Sequence, residues 1–480
     1  MLPKGESDFP FGEGTTQVIA SLKIELPTEL KRILNETPEL NSAFLVGGSV
    51  RDSLGGHPGT DLDVECFGVS YDDLAKALRK WGRTDLVGKS FGVIKLTTGS
   101  GEDYDFSIPR RDSKAGIGHQ GFEVEFDPAI TPREAAERRD YTINALMYDP
   151  RKDELLDFFG GREDLENRVL RHTSDAFADD PLRVLRGMQF AGRFGLTAHA
   201  GTIELCREIA DTYSELAVER VREEWFKWAA KSTQPSAGIF FLEATGWLEH
   251  FPEIAILRGT PQDPVWHPEG DVLVHTCHCL DAMAKLPGWQ NAEEETRIVL
   301  MFGILAHDFG KPETTAEEFK HGRMCIVSPG HDEVGVAITE RFFERIGATN
   351  VMHKRVPPLV KCHMAHLQTV NARSVRRLAR RLQPATIEEL CVVIQADHNG
   401  RPPNPPHIPE GVTALLSQAR ELRIEANAPK PILLGRHLIE RGLQPGKEFG
   451  TLLKRAFEAQ LDGEFTDLDG ALAWFAEQSR

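Results

Sequence analysis

A glycine pair between a predicted strand and a predicted helix constrains this chain more than any other feature. Residues 44–52 read FLVGGSVRD. Adjacent glycines permit a tight turn, and the N–H groups of such a turn and of a helix start are donors that suit a triphosphate. We therefore predict phosphate contacts from Gly47, Gly48 and Ser49, with a charge-assisted contact from Arg51.

The next predicted strand carries two aspartates, Asp61 and Asp63. Side chains alternate along a strand, so both carboxylates share one face. Neighbouring carboxylates repel each other unless a cation lies between them, and Mg²⁺ accepts carboxylates together with substrate phosphates. Two such ions can activate an attacking hydroxyl and stabilise the leaving oxygen. A solvated strand end is the alternative, but the glycine turn just upstream favours catalytic, Mg²⁺-binding aspartates.

Composition excludes several classes of protein. A net charge of −17 argues against a protein that coats nucleic acid, although a local basic face still permits an RNA partner. Seven cysteines in 480 residues are too few, and odd in number, for a disulfide scaffold, and the absence of a CxxC pair argues against zinc ribbons and thioredoxin-like sites. The longest apolar run, Ile298–Ala306, is far shorter than a membrane span, and the first residues lack an apolar signal region. We expect a cytoplasmic protein with no membrane partner.

The predicted elements indicate an α+β fold. Short strands are predicted at Ala43–Val46, Leu62–Phe67, Val93–Thr97 and Tyr104–Ile108, and a helix at Tyr71–Trp81. After about Thr131 most long segments have helical spacing, and 12 of the 17 histidines lie between His250 and His407. The predicted division is a tail at 1–28, a head with a mixed β-sheet at 29–170, a helical neck at 171–245, a histidine-rich helical domain at 246–400, and a linker with a helical C-terminal segment at 401–480.

Six segments, in order, resemble the motif set of class II tRNA nucleotidyltransferases and bacterial poly(A) polymerases. They read GGSVRD at 47–52, DLDVE at 61–65, RRDYTINAL at 138–146, DFFGG at 157–161, DPLRVLR at 180–186 and LAVER at 216–220. The resemblance spans roughly residues 40–400. It implies template-independent addition of CMP and AMP, from CTP and ATP, to the 3′ end of tRNA, with CCA as the product. The 3′-hydroxyl would attack the α-phosphate and pyrophosphate would leave.

The resemblance also assigns roles to single residues. Asp180 and Arg183 would read the base with their hydrogen-bonding groups. Arg139 and Arg186 would hold the triphosphate, and Asp140 would recognise the ribose. Asp180 followed by proline is also typical of a helix start.

Three further segments bear on the same reaction. This chain has Gln189 where family members often have arginine, so we assign Gln189 no phosphate contact and consider Arg193 a partial replacement. Residues 110–121 align with the family's flexible loop, which is thought to help the switch from CTP to ATP, and we predict that 112–121 is mobile, with a surface hairpin as the alternative. Arg220, Arg222, Lys227 and Lys231 are candidate RNA contacts, with a solvated surface as the alternative.

A second constellation resembles the HD superfamily of metal-dependent phosphohydrolases. Its centre is the adjacent pair His307-Asp308 within LAHDFGK, and a helical bundle can gather the remaining ligands around metal. The resemblance implies a divalent ion of unknown identity, bound by His275, His307, Asp308, His331, His363 and Asp397. His267 also resembles the form of this domain that is fused to nucleotidyltransferases. The predicted ordinary histidines are His278, His321, His353, His366 and His398.

Three alternatives remain open. The chain resembles poly(A) polymerases and A-adding specialists in its head as closely as CCA-adding enzymes. A phosphohydrolase with a non-catalytic, RNA-binding head is a rival of another class, although the paired aspartates argue against it. A nucleic-acid-binding scaffold without catalysis requires both metal sets to be idle. The oligomeric state is not predicted.

Overall fold

The computed structural model describes residues 17–19, 24–55, 62–86, 92–114 and 122–478. The chain packs into two compact units. The first runs up to Arg220 and includes Ala244–Trp247, and the second contains Val221–Glu243 and the chain from Leu248 onward. The five-part division predicted above is finer than these two units and stays a prediction.

The first unit has an α+β architecture. Its strands are β1 (Gln17–Ile19), β2 (Ala43–Val46), β3 (Asp63–Cys66), β4 (Gly82–Asp85), β5 (Val93–Thr98), β6 (Asp103–Ser107), β7 (Arg110–Lys114), β8 (Phe122–Phe126), β9 (Met147–Asp149), β10 (Glu154–Asp157), β11 (Val169–Leu170) and β12 (Thr197–Ala198). Its helices are α1 (Thr28–Glu36), α2 (Gly48–Leu54), α3 (Tyr71–Leu78), α4 (Pro132–Glu137), α5 (Gly161–Glu166), α6 (Leu182–Phe194) and α7 (Ala200–Glu208).

The main sheet is mixed, as predicted. Its strand order is β1-β10-β9-β2-β3-β6-β5-β4. Only β3 and β6 are parallel neighbours among these described strands, and the other neighbouring pairs are antiparallel. The parallel pair places the aspartate-bearing strand β3 beside β6, and the glycine turn follows β2 on the other side of β3.

Two predicted irregular segments include short strands. Gln17–Ile19 of the predicted tail pairs with β10, because the edge of that strand offers unpaired backbone groups. Residues 112–114 of the predicted mobile loop belong to the β7–β8 hairpin. The remainder of that loop, residues 115–121, and the first 16 residues of the predicted tail lie outside the described residues.

Burial in the first unit follows the periods of its elements. Leu30, Ile33 and Leu34 of α1 form one buried stripe that belongs to the same core cluster as Val64 and Phe106 of the sheet. Along β3, Val64 and Cys66 are buried and Asp63 is exposed. The core therefore fixes which face of the sheet presents the acidic residues.

The second unit is helical apart from one hairpin. Its helices are α8 (Val218–Lys231), which begins in the first unit, α9 (Pro235–Ala244), α10 (Pro252–Ala255), α11 (Val272–Lys285), α12 (Pro287–Gln290), α13 (Glu294–Ala306), α14 (Lys311–Thr314), α15 (His331–Ile346), α16 (Asn350–Cys362), α17 (Ala372–Leu382), α18 (Ile387–Asn399), α19 (Glu410–Glu421), α20 (Gly435–Ile439), α21 (Lys447–Asp462) and α22 (Leu468–Gln478). Strands β13 (Ala316–Lys320) and β14 (Arg323–Val327) form the hairpin.

Helix α13 is the central helix of this unit. Its apolar run Ile298–Ala306 is buried on all sides because α11, α16 and α18 pack around it. Nearby, the ring of Trp225 packs against Phe251 and Phe342, with centroids 4.9 and 5.4 Å away. Within the described residues, no helix combines the length and apolarity needed to cross a bilayer.

Two candidate functional sites

The glycine turn in the first unit lies against an arginine. Gly47 has φ +69°, in the left-handed region that favours glycine, and a Cβ atom there would lie 3.2 Å from Nη1 of Arg139. The buried Ser49 hydroxyl donates to the Val46 carbonyl at 3.0 Å. Ser49 therefore stabilises the turn with its side chain, so its backbone N–H is the group left for a ligand.

Arg51 occupies a different position from the one predicted. Its guanidinium is buried, donates to Asp52 at 2.8 Å and to Asn144, and lies over the ring of Phe194 at 4.5 Å. Burial lowers the pKa of Arg51, and the neighbouring Asp52 partly opposes this. The side chain ties α2 to the surrounding structure, and a phosphate contact would require it to leave these partners.

Acidic side chains lie on one face of the parallel strand pair. Asp61 lies outside the described residues, whereas Asp63 is exposed at the start of β3. Asp105 on β6 stands directly opposite Asp63 in the ladder and is also exposed. Sequence reasoning missed Asp105, although it alternates with the buried Tyr104 and Phe106 in a predicted strand. Carboxylates placed this way suit Mg²⁺, which takes oxygen ligands.

Arg139 lies between this acidic face and the glycine turn. Its Nη2 donates to Glu65 on β3 at 3.1 Å, and its buried Nε–H has no hydrogen-bond partner within the described part of the chain. A buried donor without a partner is costly. The guanidinium is therefore suited to an anion bound beside Gly47.

Asp140 orients Arg186. The buried Asp140 carboxylate accepts from the Tyr141 N–H at 2.8 Å, from Asn144 at 2.9 Å and from Nε of Arg186 at 2.7 Å. Burial alone would raise the pKa of Asp140, but Arg186 and Asn144 lower it below its usual range. Arg186 is partly exposed and lies 5.2 Å from the ring centroid of Phe190. The carboxylate thus presents a fixed cation rather than an open ribose site.

The two predicted base-reading residues are held by separate partners. Asp180 accepts from the Leu182 N–H at 3.1 Å, which fits the predicted helix start, although the helix begins two residues later. Its carboxylate also accepts from Arg220 at 2.8 Å. Arg183 donates to the carbonyls of Ala176 and Arg138 at 2.6 and 2.9 Å. Arg220, a candidate RNA contact, is therefore an ion-pair partner of Asp180.

Gln189, which stands where family members often have arginine, is buried. Gln189 is 3% exposed within α6, so it does not replace a cation at the surface. Arg193 pairs with Asp52 at 3.1 Å between its Nη2 atom and the carboxylate. The ion pair with Asp52 gives Arg193 a structural role. Its compensating role remains a prediction.

A cavity of about 790 Å³ in the same unit does not contain this acidic face. It is lined by Arg138, Asp164 and Thr173 among others, and by neither Asp63 nor Arg139. This cavity and the acidic face of the first unit are therefore at different places.

The second unit gathers all six predicted metal ligands. His275 lies on α11, His307 and Asp308 follow α13, His331 begins α15, His363 follows α16, and Asp397 lies on α18. Each is buried. Ends of neighbouring helices thus supply most of the set, as the resemblance implied.

Backbone carbonyls fix the orientation of three histidine rings. The Nδ1 atoms of His307, His331 and His363 lie 2.6–2.7 Å from the carbonyl three residues earlier. A carbonyl only accepts, so each Nδ1 carries the proton and a neutral ring has a bare lone pair on Nε2. Nε2 of His331 lies 3.1 Å from Nε2 of His363. Two bare lone pairs that face each other fit a shared cation, with the carbonyls as supporting partners.

The ligand atoms divide into two neighbouring groups. One consists of His275, Cys279, His307 and Asp397, and the other of Asp308, His331 and His363. The Asp308 carboxylate lies 3.6 Å from Nε2 of His275 in the first group and 3.5 Å from Nε2 of His331 in its own. This position suits a carboxylate that bridges two ions.

Burial and neighbouring charges act in opposite directions on the pKa values of the cluster. Burial, followed by the charges of His307 and His331, lowers the pKa of His363 to about 4. Burial alone would raise the pKa of Asp308 and Asp397, but neighbouring cationic groups hold both well below the usual range. Burial would lower the pKa of His275, but nearby Cys279 and Asp397 raise it well above its ordinary value. These donors together suit a divalent cation.

Sequence reasoning missed several supporting residues. Glu269 accepts from Nδ1 of His275 at 2.7 Å, Lys311 contacts Asp308 at 2.7 Å, and Arg401 donates to Asp397 at 2.7 Å. Lys311 and Arg401 follow their aspartates by three and four residues, a helical spacing that is a usable signal. His267 contacts Glu269 at 3.0 Å, so it supports His275 indirectly.

The predicted ordinary histidines lie apart from both ligand groups within the described residues. His353 contacts Glu340, and His398 pairs with His407 at 2.9 Å between Nε2 atoms near the surface. His366 lies 3.3 Å from the carbonyl of His363.

Comparisons with known proteins identify the relatives of this chain. A family profile described as "Poly A polymerase head domain" matches residues 43–171. The "Multifunctional CCA protein" of Xylella fastidiosa (strain 9a5c) is 34% identical over 374 residues, which cover 75% of this chain and 84% of that protein. The protein of the same name from Nitrosococcus oceani is 33% identical over 413 residues, covering 84% and 93%.

Solved structures share the fold. The "Bacillus stearothermophilus CCA-adding enzyme in complex with CTP" has a TM-score of 0.62 and 19% identity, covering 95% of this chain and 98% of that one. The "Thermotoga maritima CCA-adding enzyme" in complex with tRNA has a TM-score of 0.57 and 18% identity, covering 94% and 96%.

Proposed function

Because the chain belongs to the multifunctional CCA protein family of nucleotidyltransferases, we propose that it adds CMP and AMP, from CTP and ATP, to the 3′ end of tRNA. The observation that carries this proposal for the described residues is the position of Arg139, which lies beside Gly47 and donates to Glu65 on the strand where Asp63 stands opposite Asp105. That arrangement offers oxygen ligands for metal on one side and anion donors on the other.

The chemistry of the head follows from these groups. Asp63 and Asp105, together with Asp61, would hold Mg²⁺, which would neutralise charge on the phosphates and activate the attacking hydroxyl. Arg139 and Arg186 would bind the triphosphate and keep the α-phosphate in line with the tRNA 3′ oxygen. Asp180 and Arg183 would present acceptor and donor groups to the base edge. Base choice would then depend on partners that fix these two side chains.

A direct experiment distinguishes the possible products. Purified protein is incubated with tRNA that lacks CCA, with CTP alone, ATP alone, both, or UTP and GTP. Extension by two residues with CTP and by a third once ATP is added supports CCA addition. Extension by ATP alone, on tRNA that ends in CC or on any RNA, supports an A-adding or poly(A)-adding enzyme. No extension with any nucleotide contradicts a catalytic head.

We propose a second activity, metal-dependent phosphoester hydrolysis, for the histidine–aspartate cluster. The observation that favours it is the pair of Nε2 lone pairs of His331 and His363 at 3.1 Å. Divalent ions held there would lower the pKa of bound water and polarise a phosphoryl oxygen. The test is phosphate release from simple phosphoesters, and opening of 2′,3′-cyclic nucleotides, with Mg²⁺, Mn²⁺ or Ni²⁺ added. Absence of hydrolysis with every metal would leave the cluster a supporting role only.

The five-part division and a cytoplasmic location belong to the same proposal. The described cysteines are all unbridged, which fits a reducing compartment. Limited proteolysis would test the boundaries near residues 170, 245 and 400, and cell fractionation would test the location.

A further inference from the structure

A cysteine lies among the histidine and aspartate ligands of the second unit. Cys279 follows His275 by one helical turn on α11, so both side chains leave the same face of the helix. Its Sγ atom is buried and lies 3.4 Å from Nε2 of His275. The ligand atoms of Cys279, His275, His307 and Asp397 all lie within 4.8 Å of one another. Cys277, also buried on α11, belongs to neither ligand group.

Two helices meet closely at this sulfur. A Cβ atom at Gly400 would lie 2.3 Å from Sγ of Cys279 and 2.7 Å from its backbone nitrogen. The end of α18 can therefore approach α11 only because residue 400 has no side chain. The same approach brings Asp397 beside the sulfur, since its carbonyl lies 3.6 Å from Sγ.

In their neutral forms, the two histidines of this group turn their Nε2 lone pairs toward each other. Nδ1 of His275 faces the Glu269 carboxylate and Nδ1 of His307 faces the Ile304 carbonyl, so each Nδ1 is the donor. The two Nε2 atoms are 3.4 Å apart, and Nε2 of His275 is 3.2 Å from Oδ1 of Asp397. Acceptors that crowd together this way call for a cation.

The nitrogen separation matches that around one tetrahedral ion. Two nitrogen ligands about 2.1 Å from a metal, at angles of roughly 90–110°, lie about 2.9–3.4 Å apart, and the two Nε2 atoms lie 3.4 Å apart. Sγ of Cys279 lies 3.4 Å from Nε2 of His275 and 3.7 Å from Nδ1 of the same ring, so the sulfur stands beside the ring. Binding an ion on the Nε2 lone pair therefore requires the Cys279 side chain to turn toward that ion.

We propose that Cys279 is a fourth protein ligand, through its sulfur, to the ion held by His275, His307 and Asp397. This rests on the proposed function, in which the cluster holds divalent ions. On binding, the thiol proton passes to solvent and a metal–sulfur bond forms. A thiolate is a soft donor, so this group selects Co²⁺, Zn²⁺ or Fe²⁺ over Mg²⁺ and Mn²⁺. The neighbouring group of Asp308, His331 and His363 has only nitrogen and oxygen donors and lacks this preference.

The rival explanation is a buried cysteine that only fills space, which is common in protein cores. The two explanations differ in what sulfur does when metal is added. Chelator-treated full-length protein is titrated with Co²⁺, whose visible absorption reports tetrahedral binding and whose near-ultraviolet charge-transfer band reports a thiolate ligand. Cys279→Ala is the test variant, and Cys277→Ala is the matched control, with the same side chain removed from a buried position on the same helix.

We expect the charge-transfer band in the wild type and in Cys277→Ala, and its loss in Cys279→Ala. The affinity for Co²⁺ in Cys279→Ala should fall at least about tenfold, the lower end for loss of even an indirect metal partner. Visible bands without charge transfer in the wild type would overturn the sulfur ligand and leave the metal centre standing. Failure of the folded wild type to bind any Co²⁺ would overturn both.

A second measurement does not depend on the variant folding. X-ray absorption of the cobalt-loaded wild type should show a sulfur scatterer at about 2.3 Å beside nitrogen and oxygen at about 2.0–2.2 Å. A first shell without sulfur would overturn the assignment.

Discussion

The two candidate sites differ in how their charged side chains are paired. In the head, each described cation that faces the glycine turn or the base-reading helix has an anion or carbonyl of the protein beside it. Arg186 pairs with Asp140, and Arg139 with Glu65. In the histidine cluster, Nε2 atoms of four rings point at one another and at carboxylates. The arginines of the head are largely neutralised by its own residues, and its exposed aspartates are the proposed Mg²⁺ site, whereas all the donors of the cluster are gathered around the place of a cation.

The residues of the two sites also differ in their exposure to solvent. Asp63 and Asp105 are open to solvent, and Arg186 is about a third exposed. The six predicted ligands of the cluster are buried, with His331 the most exposed at 8%. An open, prearranged site suits a large substrate such as a nucleotide triphosphate with an RNA end. A closed set of donors suits an ion that stays, and the comparison predicts that the two sites fail independently.

The largest expected effect is in the head. Asp63→Ala should lower nucleotide addition by about 10³-fold or more, because loss of a metal-holding carboxylate removes several kcal/mol of transition-state stabilisation. The measurement is incorporation of labelled CTP into tRNA lacking CCA. Asp103→Ala is the matched control on the neighbouring strand, where the side chain pairs with Lys95. Equal activity of both variants would contradict the metal-binding role of the acidic face.

A substitution in the histidine cluster tests whether the two sites act independently. His363→Ala should remove most metal-dependent hydrolysis, by about 10²-fold or more, and leave nucleotide addition within about twofold, since a lost ligand acts where the ion is bound. His353→Ala is the control, because this histidine on the same helix contacts Glu340 instead. Loss of nucleotide addition in a folded His363→Ala protein would break the comparison.

Much of the head could be predicted because local patterns determine it. The strand at Ala43–Val46 is where the glycine motif placed it, and alternation put Asp63 on the open face. The burial of Arg51 could not be predicted, because it depends on Asn144, which is 93 residues away and carries no local signal. Asp105 was missed because only the strand order makes β6 the neighbour of β3.

For the histidine cluster, too, the sequence predicted the main ligands but not all of their neighbours. The ordered resemblance supplied six ligands from five helices or their ends, and the structure brings all six together. It did not supply Glu269, whose contact with His275 depends on the segment before α11, or Cys279, which helical spacing places beside His275 but only the three-dimensional structure places beside His307 and Asp397. Residue order identifies ligands of a family, whereas chain-specific partners require three-dimensional contacts.

The next prediction concerns the pH dependence of the free energy of unfolding, with an expected change of about 3 kcal/mol. The pKa of His363 is lowered from 6.5 to about 4, so the unfolded chain takes up its proton before the folded chain does as pH falls. In chelated, metal-free protein this group should therefore contribute stability that is present above pH 6.5 and lost between about pH 6.5 and 4. The difference amounts to at most about 3 kcal/mol. Urea unfolding of the wild type and of His363→Gln at each pH measures it. A wild type whose stability falls no faster than that of the variant would contradict a neutral, buried ring.

The smallest expected effect concerns the ion pair between Asp180 and Arg220. The experiment tests whether this ion pair holds the base-reading carboxylate in position. Asp180→Ala should relax base choice, raising UTP and GTP incorporation relative to CTP and ATP, because a site built to hydrogen-bond rejects partners that leave it unpaired. Arg220→Ala keeps the Asp180 carboxylate but removes the guanidinium that holds it at 2.8 Å. Its effect should be smaller, about tenfold in the same ratio, as expected for loss of one charged hydrogen bond. Arg222→Ala is the control on the same helix, since Arg222 donates to the carbonyl of Gly347 and should leave base choice unchanged.

If Arg220→Ala relaxes base choice as much as Asp180→Ala, the ion pair as a whole reads the base. If it instead weakens binding of tRNA with base choice intact, Arg220 contacts RNA, and the head is less completely neutralised by its own residues than the comparison holds.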